Sequence, residues 1–231
     1  DLVFFTANII KWPHGGWFPI AVALVVFLLM TTWKRGRRQV TAMLKESSLP
    51  LDLFLPDIVR RRPPRVPGLA VFMTSIPNVA PPVLLHHLKH NKVLHEKIVL
   101  MTVQAEEIPQ VDEAERVRVT PHEEGFFEVS ARYGFMETPD IPSVLESIGS
   151  ELRSPGEEKA PSMRMTDISF YLGRETLIVR PRGHGAPRVM GGMWGWRAKL
   201  FAVMNRNAQS ATAFFGLPPN RVVELGAQIQ V

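Results

Sequence analysis

The stretch GGWFPIAVALVVFLLMTTWKRGRR, from Gly15 to Arg38, constrains this chain more than any other. Between Phe18 and Trp33 it runs for sixteen residues without a charge, which as a helix is about 24 Å long, just short of the usual spanning length. Trp17 and Trp33 stand at its two ends, where indoles favour the headgroup zone. Pro19 falls in the first helical turn, where a missing N–H does no harm. Lys34, Arg35, Arg37 and Arg38 follow directly, while only Lys11 and His14 precede the span at close range. The excess of basic residues on the inner side of membranes therefore places the C-terminal side of the span in the cytoplasm. A buried soluble helix would rarely be bracketed by two tryptophans and a basic cluster, and a signal peptide carries its basic residues before the apolar core rather than after it.

Charge is distributed unevenly. The 231 residues have a net charge of +5. Residues 34–65 hold nine Lys and Arg against Glu46, Asp52 and Asp57, a local +6, so the remainder is close to neutral. Such a juxtamembrane belt suits anionic lipid and not nucleic acid, which would need a basic footprint spread over the domain. There are no cysteines, which removes disulfides, thiolate metal sites and cysteine nucleophiles, and agrees with a reducing compartment.

The chain opens on Asp1 with DLVFFTANII already apolar, and reads as a piece of a longer polypeptide. These residues end an earlier span, and KWPHGG turns on the outer face into the next one. Beyond the span, Gly36 to Leu55 reads as an amphipathic helix interrupted at Pro50. DIVRRRPPRVPG then reads as a charged, rigid linker, facing lipid or solvent. Leu69 to Thr74 and Lys97 to Gln104 are continuous apolar runs, the mark of strands buried on both faces. With a helix from Val83 to Glu96 between them they form a parallel βαβ unit. Arg116 to Thr120 and Phe126 to Tyr133 alternate as a hairpin across Pro121 to Gly125. Asp140 caps a helix reaching Leu152, and Ser154 to Ser162 is a polar loop. Ile168 to Val179 reads as two strands joined at Gly173, and Arg180 to Gly192 as a mobile loop. Trp194 to Phe215 is one long helix with Trp196, Leu200, Val203 and Met204 inward, and Arg221 to Val231 is a last strand. The fold class is thus an α/β domain with a mainly parallel or mixed sheet, preceded by a transmembrane helix.

Few residues offer chemistry. His86, His87, His90 and His95 are the obvious metal candidates, and His86 and His90 share a helix face at i, i+4. No carboxylate sits between them, and Lys89, Lys92 and Lys97 crowd the neighbourhood with positive charge, so capping and packing are favoured over metal binding. No Walker A, GxGxxG or GxSxG pattern is present at the positions that would use it. A nucleotide held at a helix N-terminus by backbone amides stays open, because α/β sheets leave such crevices at strand C-termini. No catalytic, cofactor-binding or metal residue is assigned.

The segments RVPGLAVFMTSIPNVAPPVLLHHLKHNKVLHEKIVLMTV, RYGFMETPDIP, SFYLGRETL and LPPNRVVELGAQIQV, together with the apolar stretch, resemble in order the C-terminal end of the KUP (Kup/HAK/KT) potassium uptake permeases. The resemblance implies a multi-pass, proton-coupled potassium importer of the plasma (inner) membrane. Its potassium and proton sites lie upstream of Asp1, and its cytosolic tail serves regulation or homodimer contact, not catalysis. On this reading residues 1–33 comprise the end of the penultimate span, an outer turn and the last transmembrane helix. Residues 34–66 are a basic juxtamembrane helix and linker, and residues 67–231 the cytosolic α/β domain. The alternative is a membrane-anchored nucleotide-sensing or enzymatic α/β domain.

Overall fold

The computed structural model describes residues 17–152, 167–178 and 195–230. The anticipated outer turn with the preceding span end, the polar loop Ser154 to Ser162 and the mobile loop Arg180 to Gly192 lie outside the described residues. In chain order the elements are α1 (Trp17–Ser47), β1 (Leu49–Pro50), α2 (Leu51–Arg61), β2 (Arg65–Thr74), β3 (Val79–Ala80), α3 (Pro82–Asn91) and β4 (Leu94–Glu106). There follow α4 (Glu113–Arg116), β5 (Val117–Pro121), β6 (Phe126–Gly134), α5 (Ile141–Ser147), β7 (Ile168–Ile178), α6 (Gly195–Arg206), α7 (Ala211–Phe214) and β8 (Val222–Gln230). The chain divides into two compact units, residues 1–40 with 179–208 and 230–231, and residues 41–178 with 209–229.

Helix α1, whose residues up to Val40 belong to the first unit, is one unbroken helix, so no second helix starts at Gly36 as the sequence suggested. Gly36 lies inside α1 because the Phe201 ring of α6 occupies the space that a β-carbon would need, a close approach only glycine permits. Trp33 packs against the same ring, centroid to centroid 5.6 Å. The inward residues of α6 are Ala198 and Phe201, while Trp196 and Val203 are exposed. The expected 22-residue helix is also shorter. It stops at Arg206, where the Asn207 side chain donates to the Val203 carbonyl at 2.8 Å, the local competition that makes asparagine a helix ender. Helix returns only at α7, capped by Ser210.

In the second unit a six-stranded mixed sheet runs in the order β5-β6-β4-β2-β7-β8. β2 is parallel to β4 and β7, β4 is parallel to β6, and β5 closes the edge antiparallel to β6. The two apolar runs are therefore neighbouring central strands, and the hairpin is where the alternation put it. Side chains divide by the two-residue period of a strand. Leu69, Val71, Val99 and Met101 enter a core with Ile141, Val144 and Leu145 of α5. Ala70, Phe72, Ile98 and Leu100 enter a second core with Val83 and Leu84 of α3 and Leu51, Phe54, Leu55 and Ile58 of α2. Each large side chain buried in these layers contributes about 1.5–3 kcal/mol.

Three local readings are corrected. The segment from Asp57 to Gly68 expected to be a linker holds the end of α2 and the start of β2, and the apolar residues of α2 recur at i, i+3, i+4 and i+7. Pro56 is accommodated within it, and the helix ends where Arg62, with φ of 46°, donates to the Ile58 carbonyl ahead of two prolines. α3 ends at Lys92, also left-handed with φ of 59°, so His95 and Glu96 belong to β4 and not to the helix. β7 runs through Gly173 as a single strand, because β2 on one side and β8 on the other hold it in the sheet.

Candidate functional site

The apolar half of α1 presents its side chains outward. Phe18, Leu24, Phe27 and Met30 are 61–68% exposed, and every residue from Trp17 to Phe27 is exposed. A core helix of this composition would be covered by the protein; this one is uncovered over the length that a bilayer would cover. Covering begins where the span ends. Arg197 of α6 donates from its guanidinium to the hydroxyls of Thr31 and Thr32, each at 3.0 Å, and Thr32 is fully buried. The Trp33, Gly36 and Phe201 contact follows one turn on. The basic cluster Lys34 to Arg38 lies on this same part of the helix, with Lys34, Arg35 and Arg38 exposed.

The remaining arginines of the basic stretch differ among themselves. Arg60 and Arg61 both pair with Asp57 at 2.8 Å. Partial burial works to raise the Asp57 carboxyl, but the hydrogen bonds and charges of the two arginines outweigh it and hold the group below the usual carboxylate range. Arg65 is structural. It donates to the His95 and Glu124 carbonyls at 2.9 and 3.0 Å and stands over the Phe126 ring at 5.7 Å. Burial lowers its pKa against the opposing pull of Glu124.

The four histidines part into two groups. His86 and His90 stack at 6.0 Å on the exposed side of α3. His87 is buried between Phe72 and Tyr171, at 5.7 and 4.8 Å, and His95 lies 5.9 Å from both His87 and Tyr171. Phe72 and Tyr171 stack at 4.7 Å. Burial holds both imidazoles below their ordinary pKa, and for His95 the neighbouring His87 adds to the depression. Neutral rings packed among aromatics are a core arrangement, and among the described residues no group of three or more His, Asp or Glu is placed to hold a metal ion.

Arg197, Phe201 and Tyr171 escaped sequence reasoning. Gly36, a glycine inside a helical run, was the available signal for a close approach by another element.

Residues 67–231 match the family described as the K+ potassium transporter C-terminal domain, and residues 1–38 match the K+ potassium transporter integral membrane domain. The chain belongs to the Kup potassium transporter family. Among its relatives is the "Probable potassium transport system protein Kup" of Anaeromyxobacter sp. (strain Fw109-5), 55% identical over all of this chain and 33% of the relative. The protein of the same name from Myxococcus xanthus (strain DK1622) is 52% identical over the same shares. Kup 1 of Geobacter sulfurreducens is 47% identical over all of this chain and 34% of its own length. The chain thus spans about a third of the length of the curated Kup relatives it matches. No solved structure matches it. The membrane-domain match ends at residue 38, the last residue of the basic cluster on α1.

Proposed function

We propose that this chain is the C-terminal part of a proton-coupled potassium importer of the plasma (inner) membrane, with α1 as its last span and the α/β domain in the cytoplasm. The observation that carries the reading is α1 itself. Its uncovered apolar half, ended by tryptophan and four basic residues, lies within the stretch that matches a potassium transporter's membrane domain. Residues 1–33 complete the membrane region, residues 34–66 form the basic junction, and residues 67–231 form a regulatory or dimer-forming domain without catalysis. Potassium and protons pass through the upstream membrane region. Lys34, Arg35, Arg37 and Arg38 face the anionic headgroups of the inner leaflet, each contributing about 1 kcal/mol.

The test is growth of a cell lacking its own potassium uptake, on limiting potassium, carrying the full-length protein with and without residues 48–231. Growth restored by the full-length protein and altered by the truncation supports both halves of the reading. Restored growth that the truncation leaves unchanged would remove the regulatory role. Failure of the inserted full-length protein to restore growth would remove the transport role.

A further inference from the structure

Two loops at the carboxyl ends of β4 and β6 build a rigid apolar tip. Ile108, Phe135 and Met136 are 47%, 65% and 72% exposed, and backbone bonds bring them together: Phe135 N–H donates to the Ile108 carbonyl at 3.0 Å and Met136 N–H to the Pro109 carbonyl at 3.2 Å. Gly134 lets the loops touch, since a β-carbon there would run into the Pro109 carbonyl. Glu137 locks the arrangement from beneath. Its carboxylate accepts from the Gly134 and Val111 N–H groups at 2.7 and 3.1 Å and from Arg116 at 2.7 Å. Arg116 in turn donates to the Val111 carbonyl at 3.0 Å. The backbone bonds from Gly134 and Val111 hold Glu137 below the usual carboxylate range. An aromatic and a methionine held outward on a braced turn lose little freedom on binding, which is the character of an interface anchor.

The surroundings of the tip select its partner. From Glu106 to Glu115 the chain carries five carboxylates and no Lys or Arg. Arg132 pairs with Glu106 at 2.7 Å and lies 3.7 Å from Glu115, whereas Glu107, Asp112 and Glu113 are exposed and make no ion pair among the described residues. An acidic rim is repelled by anionic lipid, and two such rims face to face across a two-fold axis would set acid against acid. It calls for a cationic surface. The relatives are about three times the length of this chain, and the residues that match a membrane domain lie at its start. The cytoplasmic loops of a membrane domain are enriched in Lys and Arg.

We infer that the Ile108, Phe135 and Met136 tip, with its acidic rim, docks the domain on a basic cytoplasmic loop of the membrane region preceding this chain. The inference rests on the cytoplasmic placement of the domain proposed above. The experiment places a photo-crosslinking amino acid at Met136 of the full-length transporter in membranes, with the exposed Leu53 of α2 as the control position. A reporter fused after Val231 reads the side of the membrane independently. With a cytoplasmic reporter, the expected result is an adduct between position 136 and a Lys- or Arg-bearing cytoplasmic loop peptide. That adduct should be absent from position 53 and lost in the Glu107→Lys, Asp112→Lys, Glu113→Lys variant. Adducts to lipid, adducts to the same tip of a second copy, or none above the Leu53 control would overturn the docking. An external reporter would overturn the placement instead.

Discussion

A side chain at position 36 would displace the Phe201 ring, which makes Gly36 a direct probe of the α1 and α6 contact. Valine there gains only a few tenths of a kcal/mol in helix propensity, whereas overpacking costs about 1–3 kcal/mol. Gly36→Val should therefore lower the Tm of the full-length protein, and a raised Tm would contradict the contact. Val71, fully buried in the central strand, gives a second test. An unpaired carboxylate there costs several kcal/mol, comparable to the whole margin of a domain. Val71→Asp should accordingly make the tail protease-sensitive. Buried His87 and half-buried His95 give a pH test. Both are held below their ordinary value of 6.5 in the folded state, so the unfolded chain takes up protons more readily. Their contribution is complete above that value and is lost as pH falls through it toward the depressed folded values. Protease resistance of the tail should fall between pH 7.5 and 5.5, a window set by the ordinary histidine value, and fall less steeply in His87→Phe, which keeps a ring against Phe72 and Tyr171.

Elements were legible wherever one strong local signal agreed with the tertiary environment. Leu69 to Met73 and Ile98 to Met101 are apolar runs because both faces are covered, by α2 and α3 on one side and α5 on the other. Asp140 accepts from the Ser143 N–H as the sequence of a capped helix implies. Reading failed where geometry with no side-chain signature intervened. The left-handed Lys92 ends α3 early, and sheet neighbours carry β7 through Gly173. Charge misled at residues 57–65, since Ile58 is core and Arg65 is hydrogen-bonded inward. For α6, the inward face is set by Gly36 on α1, a partner more than 150 residues away in sequence, and no periodicity within 195–206 records it. Arg197→Ala removes both hydrogen bonds to the threonines of α1 and leaves buried Thr32 with one partner fewer. With about 1–3 kcal/mol at stake, cleavage within residues 195–206 should quicken while the core of the α/β domain stays resistant.

At the scale of the molecule the proposed reading is that the uncovered apolar helix, the basic junction and the α/β domain form the end of a transporter. Replacing Lys34, Arg35, Arg37 and Arg38 together should weaken the inner placement of the C-terminus, read by the reporter after Val231. Neutralising Arg60, Arg61 and Arg62 while keeping Arg65 should leave the domain folded, since exposed pairs contribute about 0–1 kcal/mol. The most direct measurement is potassium entry into vesicles reconstituted with the full-length protein alone, with internal pH followed at the same time. The expected result is potassium uptake accompanied by internal acidification and driven by an inward proton gradient. Properly inserted protein that takes up no potassium, or takes it up without moving protons, would contradict it.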